Sequence, residues 1–201
     1  MWGPPSANQG LDERVATYLS PPLFPIHLSD VPAHLIFHDA PDEPFTISDA
    51  TITANAISHQ GPTVGYRIAV DGRSVAYLPD HEPSLGIDLT SLDVDWLSGY
   101  ELAIDVDVLF HDAQYDDEEY GNRVGWGHSS ISHVITMGRR TNARQVVLFH
   151  HDPAHSDDDL EKILTRAVEL WGAAPNPPVL AYEGMEITFA PSVRAPVVTA
   201  D

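Results

Sequence analysis

The chain has 201 residues, 43% of them hydrophobic, which is enough for one domain or a little more with a real core. Its 30 acidic residues outweigh 10 basic ones, a formal net charge of −20, and the Arg residues and the single Lys162 look scattered, so a nucleic-acid partner is disfavoured. The absence of cysteine excludes a disulfide framework, a thiolate metal site and a cysteine nucleophile.

Met1-Trp2-Gly3-Pro4-Pro5 lacks the basic stretch and apolar run of a signal peptide. No apolar run approaches the roughly 20 residues of a membrane span. The expected compartment is cytoplasmic. Residues 1–34 are Pro-rich, with one short helix expected over Asp12–Ser20, stopped by Pro21-Pro22. From His34 the apolar period becomes two, which predicts strands at Leu35–His38, Phe45–Ile47 and Thr51–Ile57. Val64–Val70 and Ser74–Leu78 flank Asp71-Gly72, a strong hairpin signal. A helix around Leu92–Ser98, a strand at Asp105–Phe110 and a helix over Ser129–Arg140 follow. Gln145–Phe149 reads as a buried strand, and Asp157–Trp171 as a helix opened by Ser156 and Asp159 at capping-box spacing. Val179–Tyr182 and Glu186–Phe189 are expected to close the fold as a hairpin, with a loose tail over 190–201. Without an internal repeat or linker, residues 1–201 read as one α/β domain with mixed sheets.

His59 ends a β-branched strand ahead of Gly61-Pro62, Asp80 follows the strand Ser74–Leu78, and His150 follows the apolar run Val146–Phe149. Imidazole and carboxylate are the donors that suit Zn, Mn or Fe. Taken singly, His59 is equally a surface residue and Asp80 a turn or N-cap residue. Adjacent residues of an extended chain point opposite ways, so only one of His150 and His151 faces a given metal. A second group comprises His111-Asp112 and Gly127-His128-Ser129-Ser130. A carboxylate beside an imidazole fixes its tautomer and raises its pKa, which suits general acid work. A purely structural Asp112–His128 hydrogen bond remains the alternative. His27, His34, His38, His133 and His155 have no ligand spacing and read as surface or core residues.

In their order, Ser58-His59-Gln60-Gly61, Tyr77-Leu78-Pro79-Asp80, Leu109-Phe110-His111-Asp112-Ala113, Trp126-Gly127-His128-Ser129-Ser130 and Phe149-His150-His151-Asp152-Pro153 resemble the metallo-β-lactamase superfamily. The likeness is to its phosphodiesterase branch, near ribonuclease Z and the cyclic-nucleotide phosphodiesterases. The resemblance implies a four-layer α/β/β/α sandwich and a metal-dependent hydrolase, phosphodiesterase-like on a small phosphoester or other anionic ester. It implies His59, Asp80 and His150 as metal ligands, with Asp80 bridging two ions, zinc or else manganese or iron. Asp112 and His128 match the branch's "HEAT" and "GHST" motifs, with Asp112 where the branch carries Glu. They imply a carboxylate-oriented histidine that protonates the leaving oxygen, with His151 or Asp152 near the substrate. Lactonase and β-lactamase branches lack this pair. Tyr182-Glu183-Gly184-Met185 resembles a C-terminal strand of the branch, with a packing role.

Two departures qualify what the resemblance implies. Pro79 and His81 flank Asp80 where the family has a small residue and Thr or Ser. The family's opening H-x-H-x-D-H cluster, which supplies most of the ligands and the aspartate that handles the nucleophile, does not occur in the chain. The expectation is therefore an N-terminally incomplete domain, its last two-thirds to three-quarters, from a fragment or a late-starting gene rather than a natural pseudoenzyme. Weak or absent activity of this chain by itself follows, as does an exposed apolar sheet face that favours a homodimer. An inactive binding or scaffold protein that pairs with another chain is the alternative.

Overall fold

Alternating side chains decide how the centre of this molecule is layered. A computed structural model describes residues 1–189, so the tail expected over 190–201 lies outside the described residues. In chain order the elements are β1 (Trp2–Gly3), α1 (Leu11–Tyr18), β2 (His38–Asp39), β3 (Phe45–Ile47), β4 (Ala50–Ala56), β5 (Val64–Val70) and β6 (Arg73–Leu78). Then come α2 (Tyr100–Ala103), β7 (Val108–Asp112), α3 (Asp117–Tyr120), α4 (Ile131–Arg140), β8 (Gln145–Phe149), α5 (Asp157–Trp171) and β9 (Val179–Leu180).

Strands β3 to β9 form one seven-stranded sheet in sequence order. The pairs from β3 to β6 are antiparallel and those from β6 to β9 parallel. On one face Ala76, Leu78, Leu109, Val146 and Leu148 are fully buried. They pack with Val134 and Met137 of α4 and with Ile163, Ala167 and Trp171 of α5 in one core cluster. A fully buried Leu contributes roughly 1.5–3 kcal/mol, so this face is where the fold gains most of its hydrophobic stability.

The opposite face is also apolar but only partly covered. Tyr77, Phe110 and Phe149 meet there edge-on, with ring centroids 5.5 to 6.4 Å apart. Ile47 and Ile68 of the same face are 46% and 37% exposed. At one end β1 and β2 form a separate two-stranded parallel ribbon, and Trp2 stacks on Phe45 at 4.4 Å. At the other end Met185, Ile187 and Phe189 line an apolar cavity with Val75, Val108, Phe110 and Phe149. Of the expected four layers, the described residues thus supply the helices, the main sheet and a small second ribbon.

Several expected elements take another form. The Leu92–Ser98 helix is replaced by short 3-10 turns at Leu89–Ser91 and Val94–Trp96 and by α2. Asp88 accepts from Thr90 N and Asp93 from Asp95 N, and such local side-chain bonds compete with a continuous helix. The closing hairpin does not form. β9 pairs in parallel with the free edge of β8, and Glu186–Phe189 carries no strand because its apolar residues cover the aromatic face. β7 runs to Asp112, two residues beyond the expected end, and α4 starts at Ile131 with Ser130 as its cap. No described helix is long and apolar enough to cross a membrane.

Candidate metal centre

Because β4 and β6 both run antiparallel to β5, and β6, β7 and β8 are parallel, all four end at the same edge of the sheet. His59, Asp80 and His150 follow β4, β6 and β8, and Asp112 is the last residue of β7. In open α/β sheets, ligands gather outside such carboxyl ends.

His59 Nδ1 lies 2.9 Å from the Gln60 carbonyl, an acceptor that requires a proton on Nδ1 and leaves the lone pair on Nε2. That Nε2 is 4.0 Å from Asp80 Oδ1. His150 Nε2 approaches the same oxygen at 3.3 Å. The Asp80 carboxylate accepts no hydrogen bond among the described residues. His150 turns off the end of β8 with a φ of 57°. A side chain other than glycine in this left-handed region is uncommon and is found preferentially at functional sites.

Asp112 is fully buried, and its carboxylate is saturated with donors. Oδ1 accepts from Gln114 N and Ser129 N, and Oδ2 from His81 N, each at 3.1 Å. Oδ2 also accepts from His128 Nδ1 at 2.6 Å, so the His128 lone pair sits on Nε2 whenever the ring is neutral. The His128 ring stacks on His150 at 4.9 Å and 13°, and meets His59 edge-on at 5.1 Å. Burial lowers the His128 pKa, but the Asp112 hydrogen bond and charge, helped by Asp80 and Glu82, outweigh it and raise the value from its ordinary one.

Ligand atoms of His59, Asp80 and His128 lie within 4.8 Å of one another, as do those of Asp112, His128 and His150. The donor chemistry fits a divalent transition metal. It offers partly exposed imidazole Nε2 atoms, that of His59 with its Nδ1 side tied to an oxygen, beside an open carboxylate. The structure thus brings together His59, Asp80, His150, Asp112 and His128.

His111, His151 and Asp152 are not part of this group. His111 points to the helical face, where its Nε2 is 3.1 Å from His81 Nδ1 and its Nδ1 2.8 Å from the Asp112 carbonyl. His151 lies 3.3 Å from the Ala181 carbonyl, and Asp152 accepts from Ala154 N. Among the histidines without ligand spacing, His133 packs edge-on against Tyr120 and His155 pairs with Glu119. Sequence reasoning passed over Glu82 and Tyr115. Glu82 is fully buried beside the site, and Tyr115 packs its ring edge-on against His128 at 5.9 Å. Only the position of Glu82 two residues after Asp80 marks it in the sequence.

Comparison with known proteins identifies the family and the fold. Residues 5–151 match the profile of the Beta-lactamase superfamily domain. A ribonuclease Z from Myxococcus xanthus is 32% identical over 85 residues, which is 42% of this chain and 26% of that protein. The metallo-beta-lactamase fold protein YhfI from Bacillus subtilis superposes with a TM-score of 0.56 at 17% identity, over 77% of this chain and 56% of that one. A diphosphatase of the PhnP family gives 0.53 at 18% identity, over 81% and 53%. Zn(2+)-bound PqqB from Methylobacterium extorquens gives 0.50 at 17% identity, over 76% and 52%. The chain spans about half the length of these solved relatives and about a quarter of the ribonuclease Z. On the family match across 147 of its 201 residues (5 to 151), the chain belongs to the metallo-β-lactamase superfamily.

Proposed function

We propose that this chain carries the His59–Asp80–His150 side of a metal-dependent hydrolytic centre acting on a small anionic ester, a phosphodiester in the first instance. The observation behind this reading is the open donor set, gathered on Asp80 Oδ1, beside the Asp112–His128 pair. Divalent cations, zinc or else manganese or iron, would be held on either side of Asp80, one by His59 and the other by His150, and would supply Lewis-acid polarisation of an ester oxygen. His128, whose affinity for a proton the Asp112 carboxylate raises, would offer that proton to a leaving oxygen, and Asp112 fixes the ring's tautomer and direction. The ribonuclease Z and the PhnP-family diphosphatase among the relatives support phosphoester chemistry. The net charge of −20 favours a small ester over a polynucleotide.

The test is zinc binding by the full chain, read by competition with a chromophoric chelator. Weak binding that His150→Ala abolishes is expected, because catalytic zinc sites keep about three protein ligands per ion and these three are shared around one carboxylate. Hydrolysis of bis-(p-nitrophenyl) phosphate is expected to be slow or undetectable. Identical zinc binding by the wild type and His150→Ala would overturn the reading. One observation favours a second reading, a binding protein that pairs with another chain: the far face of the sheet leaves Ile47 and Ile68 exposed beside an aromatic cluster.

A further inference from the structure

Glu82 has no exposed surface, yet among the described residues no Lys or Arg is paired with it. Burying a carboxylate without a counter-charge is costly unless several good donors surround it. The donors here all come from one short stretch of chain. Oε1 accepts from Tyr120 Oη and Gly125 N, both at 2.8 Å. Oε2 accepts from Gly127 N at 2.8 Å and from Gly125 N at 3.1 Å. Gly125 and Gly127 have φ of 85° and 94°, and this left-handed backbone turns their amides toward a common point. Such a concavity of N–H groups is an anion nest, filled here by the protein's own carboxylate.

What the nest holds in place is the rim of the candidate centre. Gln60 Nε2 donates to the Gly125 carbonyl at 2.8 Å. A Cβ on Gly127 would lie 2.5 Å from His59 Cδ2, so the loop is seated directly against that imidazole. The next residue is His128. At the other end, Glu82 follows Asp80 by two residues and donates its own N–H to the Ser58 carbonyl, immediately before His59. Between them, His81 N reaches Asp112, and the His81 carbonyl accepts from Ser129 Oγ at 2.6 Å.

We infer that Glu82 is a positioning residue: its carboxylate clamps the loop 120–127, so that His59 and His128 hold their places around Asp80. The inference rests on the reading of these residues as a hydrolytic centre for its functional meaning, but the clamp is tested without turnover. Glu82→Gln keeps the shape, replaces one acceptor oxygen by an amide that faces an N–H, and removes the charge. In the full chain, amide hydrogen exchange at Gly125 and Gly127 is expected to accelerate about ten- to a hundredfold, the worth of a hydrogen bond to a charged group. The Val146–Leu148 amides should keep their wild-type rates. The low-field proton resonance expected for His128 Nδ1–H, held by Asp112, should broaden or vanish.

Equal acceleration at Val146–Leu148 would show that Glu82 serves global stability alone and would overturn the inference, as would unchanged exchange at both glycines. If Glu82→Gln fails to fold, Tyr120→Phe decides, since it removes one donor and leaves the charge in the nest. A rise of a few-fold at Gly125 beyond that in β8 supports the clamp, and no rise overturns it. Zinc binding by the wild type, measured alongside, separates the two claims: its absence would sink the metal reading and leave the exchange result standing.

Discussion

Two polar clusters lie back to back at the carboxyl edge of the sheet, built from the same residue types. In the open one, the side chains of Asp80 and His150 are 37% and 34% exposed, and the ligand atoms face one another across the edge. In the sealed one, His81, Glu82 and His111 have no exposed surface, and their side-chain polar atoms, His81 Nε2 excepted, bond to one another or to neighbouring backbone and Tyr120. The presence of histidine and carboxylate is therefore not what marks a candidate centre. What differs is whether their ligand atoms converge at an exposed edge or are shut inside the fold, where even the unpartnered His81 Nε2 is out of reach of solvent. Asp112 is the seam, since one carboxylate oxygen serves both His81 N and His128 Nδ1.

That seam gives the largest expected effect. Asp112→Ala leaves His81 N, Gln114 N, Ser129 N and His128 Nδ1 without their acceptor in a fully buried place. A loss of about 3–5 kcal/mol is expected, as when one partner is removed from a buried pair. Urea unfolding measures it, and a loss below about 1 kcal/mol would mean the two clusters do not share this support.

The clusters should also answer pH with opposite signs. Burial, with repulsion from neighbouring histidines, holds His81 well below its ordinary value, and burial likewise lowers His111 and His133. Groups with a lowered folded-state pKa bind more protons when unfolded, so their contribution is present above about pH 6.5 and is lost as the pH falls below it. The unfolding midpoint of the metal-free chain should drop between about pH 6.5 and 5, and a flat profile there would contradict the sealed cluster.

His128 should act in the other direction and more weakly, because burial opposes the Asp112 hydrogen bond that raises it. A raised folded-state pKa gives stability that is fully present below about pH 6.5 and is lost as the pH rises through the higher folded value. His128→Gln should flatten that alkaline decline in the metal-free chain. A decline that survives the substitution has another source.

Much of this scaffold is legible in the sequence because local chemistry and tertiary demand agree. Val64–Val70 and Arg73–Leu78 flank Asp71-Gly72, both of which have the positive φ that the turn requires. Ser156 and Asp159 cap α5 reciprocally, as their spacing predicts. His59, Asp80 and His150 stand out because each ends a strand whose period stops there. The closing hairpin is misread because a local alternation cannot show that the edge of β8 and an uncovered aromatic face will compete for the same segment. The role of Glu82 escapes the sequence for another reason. Its donors are two glycine amides and a tyrosine some 38 to 45 residues away, and backbone donors leave no side-chain spacing to read.

The smallest expected effect on stability belongs to His150, and it sharpens the comparison most. Its side chain stacks on His128 and approaches Asp80, but it is a third exposed, and the contact with a partly exposed carboxylate is worth little, about 0–1 kcal/mol. Its backbone, at a φ of 57°, sits in the left-handed region that costs an L-residue roughly 1–2 kcal/mol. His150→Gly removes that strain, while glycine's greater freedom in the unfolded chain costs about 0.5–1 kcal/mol. These terms nearly cancel, so the unfolding free energy should stay within about 1 kcal/mol of wild type. Zinc affinity should meanwhile fall by more than the roughly 10–100-fold that loss of a ligand's supporting partner costs. A residue held in a strained conformation that the fold does not need, yet without which the metal is lost, is what a functional strand end should look like. If His150→Gly instead destabilises the chain by several kcal/mol and leaves zinc binding unchanged, His150 belongs with the sealed cluster, and the division drawn between the two would have to move.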